Sequence, residues 1–480
     1  MLLHISGPAE SLSVRLLSVP EISVRPLRYV CLSYCWGGPQ PQMTTRARLA
    51  TYLQDIDTKT LPATIVDAII TTRSLGFEYL WTDSLCIVQD SAQSKSVELA
   101  KMASIYAGGV CTICAMSSQA ASEGFLEANG CSESGTVTRN FRIEDMDSHR
   151  TVILERQSDL KERNLFEEPL LSRAWTLQES LLSPRVLMFF AGGQPPSFRC
   201  CQHPIRADGG VIASFSKSLS SIDTTWTAFA ESKDTDSYKV QDEWCDTVAE
   251  YTQRSLAFSE DKLPALSGIV ATYAERVDLG TYHAGLWSKS ILIDLMWRVP
   301  RFISPRKAYD SYVAPSWSWA SRSHRVRYNA RGSESSDDLC SRFIACDVAL
   351  VDPALPFGAV KSASLTLECV AEEVKMSDIK ENASSSAQVL GVLYLASVRG
   401  YSATFVFDDD PIPEGLDKVW MLIIGSEEPY NNAHDIGLGV VELHPQPEDN
   451  EKAYRRIGMF YNGQTSSLPR GTPMQRFTLV

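Results

Sequence analysis

The rhythm of apolar and polar positions changes three times along the chain. From Tyr29 to Tyr34 the run YVCLSY reads as a buried strand leading into a Trp-Gly-Gly turn. LPATIVDAIITTRSLG (61–76) has helical period, with Pro62 near its start, Gly76 as a stop, and Ile65, Ala68, Ile69 and Leu75 as one apolar stripe. YLWTDSLCIVQDS (79–91) is a second strand with its exit loop. SVELAKMASIYAGG (96–109) is a second helix with Val97, Met102, Ile105 and Tyr106 inward, and VCTICAMS (110–117) is a third buried strand. Residues 118–170 break this alternation, and TVTRNFRIEDMD with HRTVILER suggests an inserted β-hairpin. A short helix from Arg173 to about Leu182, capped by Ser172, then leads into the strand RVLMFF. The β-α-β-α-β order argues for a mostly parallel sheet with helices on both faces.

From about residue 205 the pattern turns helical, with amphipathic stretches at 242–258, 261–277 and 282–299 and an alternating Trp317-Ser-Trp319 that reads as a strand packed on them. RGSESSDDL (331–339) is polar and linker-like. Eight strand-like runs follow, which predict a mainly antiparallel β domain, sandwich-like or barrel-like. The expected divisions are an N-terminal extension (1–27), the α/β domain (28–190), a helical extension packing on it (191–330) and a β-rich domain (331–480).

Composition narrows the function. A chain of 480 residues needs more than one core, and 44% apolar with 21% charged residues is ordinary for a folded protein. The net charge of −13 argues against binding to nucleic acid or an anionic membrane surface. No stretch approaches the roughly 20 apolar residues of a membrane span, and the first residues lack the pattern of a signal peptide. Those features predict a cytoplasmic protein whose twelve cysteines are reduced thiols.

Several residues carry candidate chemistry. Trp175 and Glu179 lie four apart on one helix and share a face, as a ring-holding aromatic beside a carboxylate or as a core Trp beside a surface acid. Asp83 follows the second strand, where open α/β sheets place ligand contacts, or caps its loop. Gly37 and Gly38 allow close approach of a ligand or make a tight turn. Trp36 lines a pocket mouth or fills the core.

The stretches YVCLSYCWG, LPATIVDAI, the run at 75–90, MASIYAGG and SRAWTLQESLLSPRVLMF, in that order between about 28 and 190, resemble the fungal heterokaryon-incompatibility (HET) domain. SEDKLPALSGI, YHAGLW and YVAPSWSWAS resemble pieces that accompany it. Cys35 and Ala174 depart from the family's usual apolar residue and Gly. The HET domain in turn resembles TIR domains, which implies a flavodoxin/TIR-like sheet. The spacing of Ser172, Trp175 and Glu179 is similar to the S-x-x-W-x-x-x-E arrangement that carries the catalytic glutamate of enzymatic TIR domains.

That resemblance implies non-self recognition with a cell-death response, through cleavage of the nicotinamide–ribose bond of NAD. NAD is then substrate, with no resident cofactor or metal; Glu179 is the catalytic carboxylate, and Trp36, Gly37, Asp83, Arg173 and Trp175 bind substrate. Two other readings stand beside it. One is a non-enzymatic module acting by self-association or through an incompatibility or receptor partner. The other is a biosynthetic enzyme using the same pocket. A Cys-His hydrolase built on Cys86 is disfavoured because no histidine falls in the matching stretches between 28 and 190. Zinc is disfavoured because Cys111 and Cys114 face opposite sides of a strand and Cys200, Cys201 and His203 have no second ligand pair. No phosphate-binding Gly-rich loop follows the first strand. Thiol titration in denaturant, without added reductant, is expected to find all twelve cysteines free; loss of most of them would contradict the reduced state.

Overall fold

The computed structural model describes residues 1–480 except 9–10, 24–25, 127–138, 146–147, 155–167, 192–195, 201–203, 207–236, 301–308, 310, 329–340, 383–392, 399–400, 409–414, 428–433, 444–451 and 463–472. The chain forms two compact units, Met1–Glu231 and Ser232–Val480. The polar stretch 331–339 lies outside the described residues.

The first unit is built on an eight-stranded sheet. Its strands are β1 (Leu2–Ser6), β2 (Ser13–Leu17), β3 (Val30–Ser33), β4 (Tyr79–Trp81) and β5 (Cys111–Ala115), and, after a hairpin of β6 (Arg139–Asp145) and β7 (Ser148–Leu154), β8 (Arg185–Phe189), β9 (Ser197–Cys200) and β10 (Pro204–Arg206). The order is β10-β9-β8-β5-β3-β4-β1-β2. The central four, β8, β5, β3 and β4, are parallel, and antiparallel strands extend both edges. The helices are α1 (Arg46–Tyr52), α2 (Ala63–Ser74), α3 (Asp83–Cys86), α4 (Ala92–Gly108) and α5 (Trp175–Leu181). Every residue of β3 and β5 is buried, as both-face coverage of a parallel sheet demands. Strand alternation sends Ile113 and Ala115 into one core cluster and Cys114 and Met116 into another.

Helix faces follow the 3.6 period with two departures from expectation. On α2, Ile65, Ala68 and Ile69 are buried, but Leu75 is 44% exposed. The helix ends at Ser74, and Gly76 takes φ +82°, which turns the chain away. On α4, Met102 and Tyr106 are buried while Val97 is exposed, because five residues before Met102 is about 140° around the helix. Tyr106 sets its ring edge on Trp81 at 5.4 Å and donates to the Leu32 carbonyl at 3.2 Å, which ties α4 to β3 and β4.

In the second unit, helices occupy Ser237–Tyr251 and Ser267–Arg276, but the helix expected at 282–299 is absent. A hairpin of β11 (Tyr282–His283) and β12 (Leu286–Trp287) stands there, followed by one helical turn at Ile291–Asp294. Next comes β13 (Trp297–Arg298), paired with β14 (Arg327–Tyr328). Ala284 and Gly285 both take positive φ, +45° and +109°, which is the two-residue hairpin turn that no helix can accommodate. The expected strand at Trp317-Ser-Trp319 is instead a turn running into a 3-10 helix at Trp319–Ser321. The Trp319 indole donates to the Gly285 carbonyl at 2.8 Å, and Ser318 Oγ accepts from the Ala320 amide at 3.0 Å.

The strands β15 (Ser341–Leu350), β16 (Val360–Lys375), β17 (Ile379–Asn382), β18 (Leu393–Val398), β19 (Tyr401–Phe407), β20 (Lys418–Glu427), β21 (His434–Glu442), β22 (Ala453–Asn462) and β23 (Gln475–Leu479) form one sheet, antiparallel except for a short β22–β23 pairing. Because β23 pairs with both β16 and β22, the ring β16-β20-β21-β22-β23 closes into a barrel.

Arg456 on β22 is fully buried. It donates to Asp408 at 2.8 Å and to the carbonyls of Leu295 and Trp297 at 2.5 Å each, with its guanidinium 3.4 Å over the Trp297 ring. Removing one member of a buried ion pair strands the other. Arg456→Met is therefore expected to destabilise the second unit by about 3–5 kcal/mol in denaturant unfolding. A loss under about 1 kcal/mol would show that Arg322, 3.9 Å from Asp408, suffices alone.

Candidate functional site

The four parallel strands bring their carboxyl ends to one edge. The chain leaves β3 toward β4 and leaves β5 toward β8, so the exits of the adjacent strands β3 and β5 diverge and leave a crevice at the switch in strand order. Ser33, Tyr34, Trp36 and Gly37 end or follow β3, Asp83 follows β4, and α5 lies on the connection from β5 to β8.

Glu179 is turned inward and only 8% exposed, so it is not the surface acid that one reading of its helix allowed. Ser33 Oγ donates to Glu179 Oε2 at 2.5 Å. Burial raises the Glu179 carboxyl from 4.5 to about 7, helped by the nearby charge of Asp83 and opposed by the Ser33 hydroxyl, Arg173 and Tyr106. Arg173 donates to the Tyr34 carbonyl at 2.6 Å, across the first turn of the post-β3 loop. Asp83 accepts the Trp36 indole at 2.9 Å and the Ser84 amide at 2.7 Å. Its carboxyl is raised by burial, against the pull of Arg173 and these hydrogen bonds. Tyr34 OH donates to Ser84 Oγ at 2.8 Å, binding the exits of β3 and β4.

The helix is fixed at both ends. Thr176 Oγ1 donates to the carbonyls of Leu170 (2.7 Å) and Arg173 (2.8 Å). Ser183 Oγ donates to the Glu179 carbonyl at 2.6 Å and meets Thr112 Oγ1 of β5 at 2.6 Å. Ser172 does not cap α5. Its hydroxyl donates to the Pro169 carbonyl at 2.6 Å within a preceding 3-10 turn, Pro169–Ser172, and Ala174 occupies the N-cap position.

Residues 29–179 match the family described as heterokaryon incompatibility protein (HET). They are a HET domain. No curated protein and no solved structure was found to match the chain. The match takes in β3, β4, β5, α1 to α4, the first five residues of α5 and every candidate residue, and it ends on Glu179 itself.

Within the HET domain, Glu179, Asp83 and Arg173 converge electrostatically, and Trp36 joins them through Asp83. Trp175 is partly buried against the core cluster that holds Leu32 and Trp81. Gly37, at φ +68°, is needed by its turn: a Cβ there would run into the backbone and side chain of Ala120 after β5. Ser33, Tyr34, Ser84 and Tyr106 were not foreseen as site residues. Ser33 left a trace in the sequence as the one hydroxyl inside an otherwise apolar strand, where burial requires a partner. Cys86 is buried and its thiol is pushed up to about 11, which keeps it protonated at neutral pH. Among the described residues no three His, Cys, Asp or Glu side chains converge to hold a metal. The nine described cysteines are free thiols, and no described helix is long and apolar enough to cross a membrane.

Beside Ser33, between α5 and the sheet, lies a cavity of about 30 Å3 lined by Cys114, Met116, Leu170, Thr176 and Met188. It has room for about one water molecule. An acid that holds its proton more tightly folded than unfolded loses stability as pH rises from its unfolded to its folded pKa. For Glu179 that window runs from 4.5 to about 7, and the cost above it reaches about 3 kcal/mol. Glu179→Gln keeps an acceptor for Ser33 without the charge. Its thermal midpoint is expected to match wild type near pH 4.5 and exceed it at pH 8; parallel midpoints across that range would contradict a buried, perturbed acid.

Proposed function

We propose that the protein acts in heterokaryon incompatibility, the role its HET domain supports, as a non-self recognition effector that triggers cell death by cleaving NAD. The observation that carries the chemical part is the buried carboxylate of Glu179, hydrogen-bonded to Ser33 at the carboxyl ends of parallel strands and beside Asp83 and Arg173. Perturbed acids cluster at functional sites, and open α/β sheets bind ligands at a strand-order switch. The parallel order β4-β3-β5-β8 matches the 2-1-3-4 start of a flavodoxin-like sheet, which supports the TIR-like reading of the HET domain.

In this reading the nicotinamide–ribose bond breaks with its electron pair going to the pyridinium ring, so nicotinamide leaves neutral and needs no proton. The ribose becomes oxocarbenium-like, and ionised Glu179 stabilises that charge on a rigid helix. Water then adds to the anomeric carbon and releases a proton, giving ADP-ribose. Asp83 accepts from a ribose hydroxyl, Arg173 meets the phosphates, and Trp36, Gly37 and Trp175 border the rings. The cavity of about 30 Å3 favours a second reading, in which the HET domain signals by assembly with itself or a receptor partner and its buried cluster is architectural.

Nicotinamide release from NAD, followed chromatographically with wild type and Glu179→Gln, separates the two. Catalysis requires the ionised carboxylate, so kcat/KM is expected to rise about tenfold per pH unit below 7 and level off above it. Glu179→Gln is expected to lose about 10²–10³-fold while remaining folded. Wild-type protein that leaves NAD intact, with a Glu179→Gln variant that still kills cells, would establish assembly instead.

A further inference from the structure

The second unit contains a cavity that the HET domain does not explain. It measures about 630 Å3 and is lined by Arg254, Ser255, Lys262, Tyr309, His324 and Arg325 among others. We propose that it binds the phosphate group of a small anionic ligand. Lys262 is 1% exposed, yet among the described residues no acceptor or carboxylate meets its amine, which lies 5.6 Å from the centre of the Tyr251 ring. Burial alone pushes that amine down to about 8, with no opposing negative charge. A buried cation left uncompensated is costly, and a bound anion is the usual remedy.

Arg325 adds a second positive charge, and its Nε is buried without a hydrogen-bond partner. Arg254, also at the cavity, pairs with Glu250 at 3.0 Å; the same carboxylate also acts on Arg325 electrostatically, whereas burial alone acts on Lys262. Thr252 Oγ1 accepts the Val326 amide at 3.0 Å and holds the Arg325 backbone against the helix end that carries Arg254. A buried ammonium beside a planar guanidinium suits a phosphate dianion better than a singly charged carboxylate. The volume exceeds that of a bare phosphate and falls within the range of small-molecule pockets, which favours a phosphate ester.

Thermal unfolding of the full chain with potassium phosphate, potassium acetate or ribose 5-phosphate, at matched ionic strength, tests this. Phosphate is expected to raise the second unit's midpoint by about 2–4 °C when present well above its Kd, and acetate is expected not to. Lys262→Met and Arg325→Gln are expected to lose that shift. Lys262→Met is also expected to be no less stable than wild type without ligand, which a lysine serving only structure would not allow. Tighter binding of ribose 5-phosphate identifies an ester as ligand, and equal binding identifies free phosphate. No shift in wild type, the same shift in both variants, or an equal shift from acetate overturns the assignment.

Discussion

The hydrogen bond from Ser33 to Glu179 joins the carboxyl end of a central parallel strand to a buried acid on α5. Burying a carboxylate without partners costs several kcal/mol, so its surroundings are constrained. Arg173 faces it while holding the Tyr34 carbonyl, and Tyr106 reaches it from α4. Thr176 and Ser183 pin the helix to the preceding turn and to β5. These hydrogen bonds hold both ends of the helix that carries the carboxylate. That is the preorganisation a site for a developing positive charge needs, and it accounts for a pKa near neutrality rather than a simple ion pair.

The second unit handles buried charge in two ways. Arg456 is satisfied by a carboxylate, two carbonyls and an aromatic face, and it contributes to architecture. Lys262 has a comparable degree of burial, and among the described residues none of those acceptors meets its amine. The contrast is between a cation whose desolvation is offset by geometry inside the fold and one that the proposed anion would offset.

Periodicity made the first unit legible. Buried runs at 29–34, 79–82, 110–116 and 185–190 alternate with helices, and that pattern admits few arrangements other than a parallel sheet. It was less able to place side chains. Ser172 looked like a cap, but a 3-10 turn takes its hydroxyl, and the sequence left Glu179 open between a site carboxylate and a surface acid because its partner Ser33 lies 146 residues away. The stretch 282–299 misled for a local reason. Its apolar residues fit a helical period, but Ala284 and Gly285 adopt positive φ to let Trp319 approach the backbone, so tertiary contact overrode propensity. Lys262 sits in an ordinary Glu-Asp-Lys run and gave no sign of its burial.

The enclosed state of Glu179 is the claim on which the site rests, and a carboxyl titration reads it directly. In protein labelled with 13C at the glutamate side-chain carboxyl carbon, one resonance absent from Glu179→Gln is expected to titrate with a midpoint of about 7. A midpoint near the ordinary 4.5 would mean that the carboxylate sees bulk water, and the account of a preorganised, buried acid at the sheet edge would be wrong.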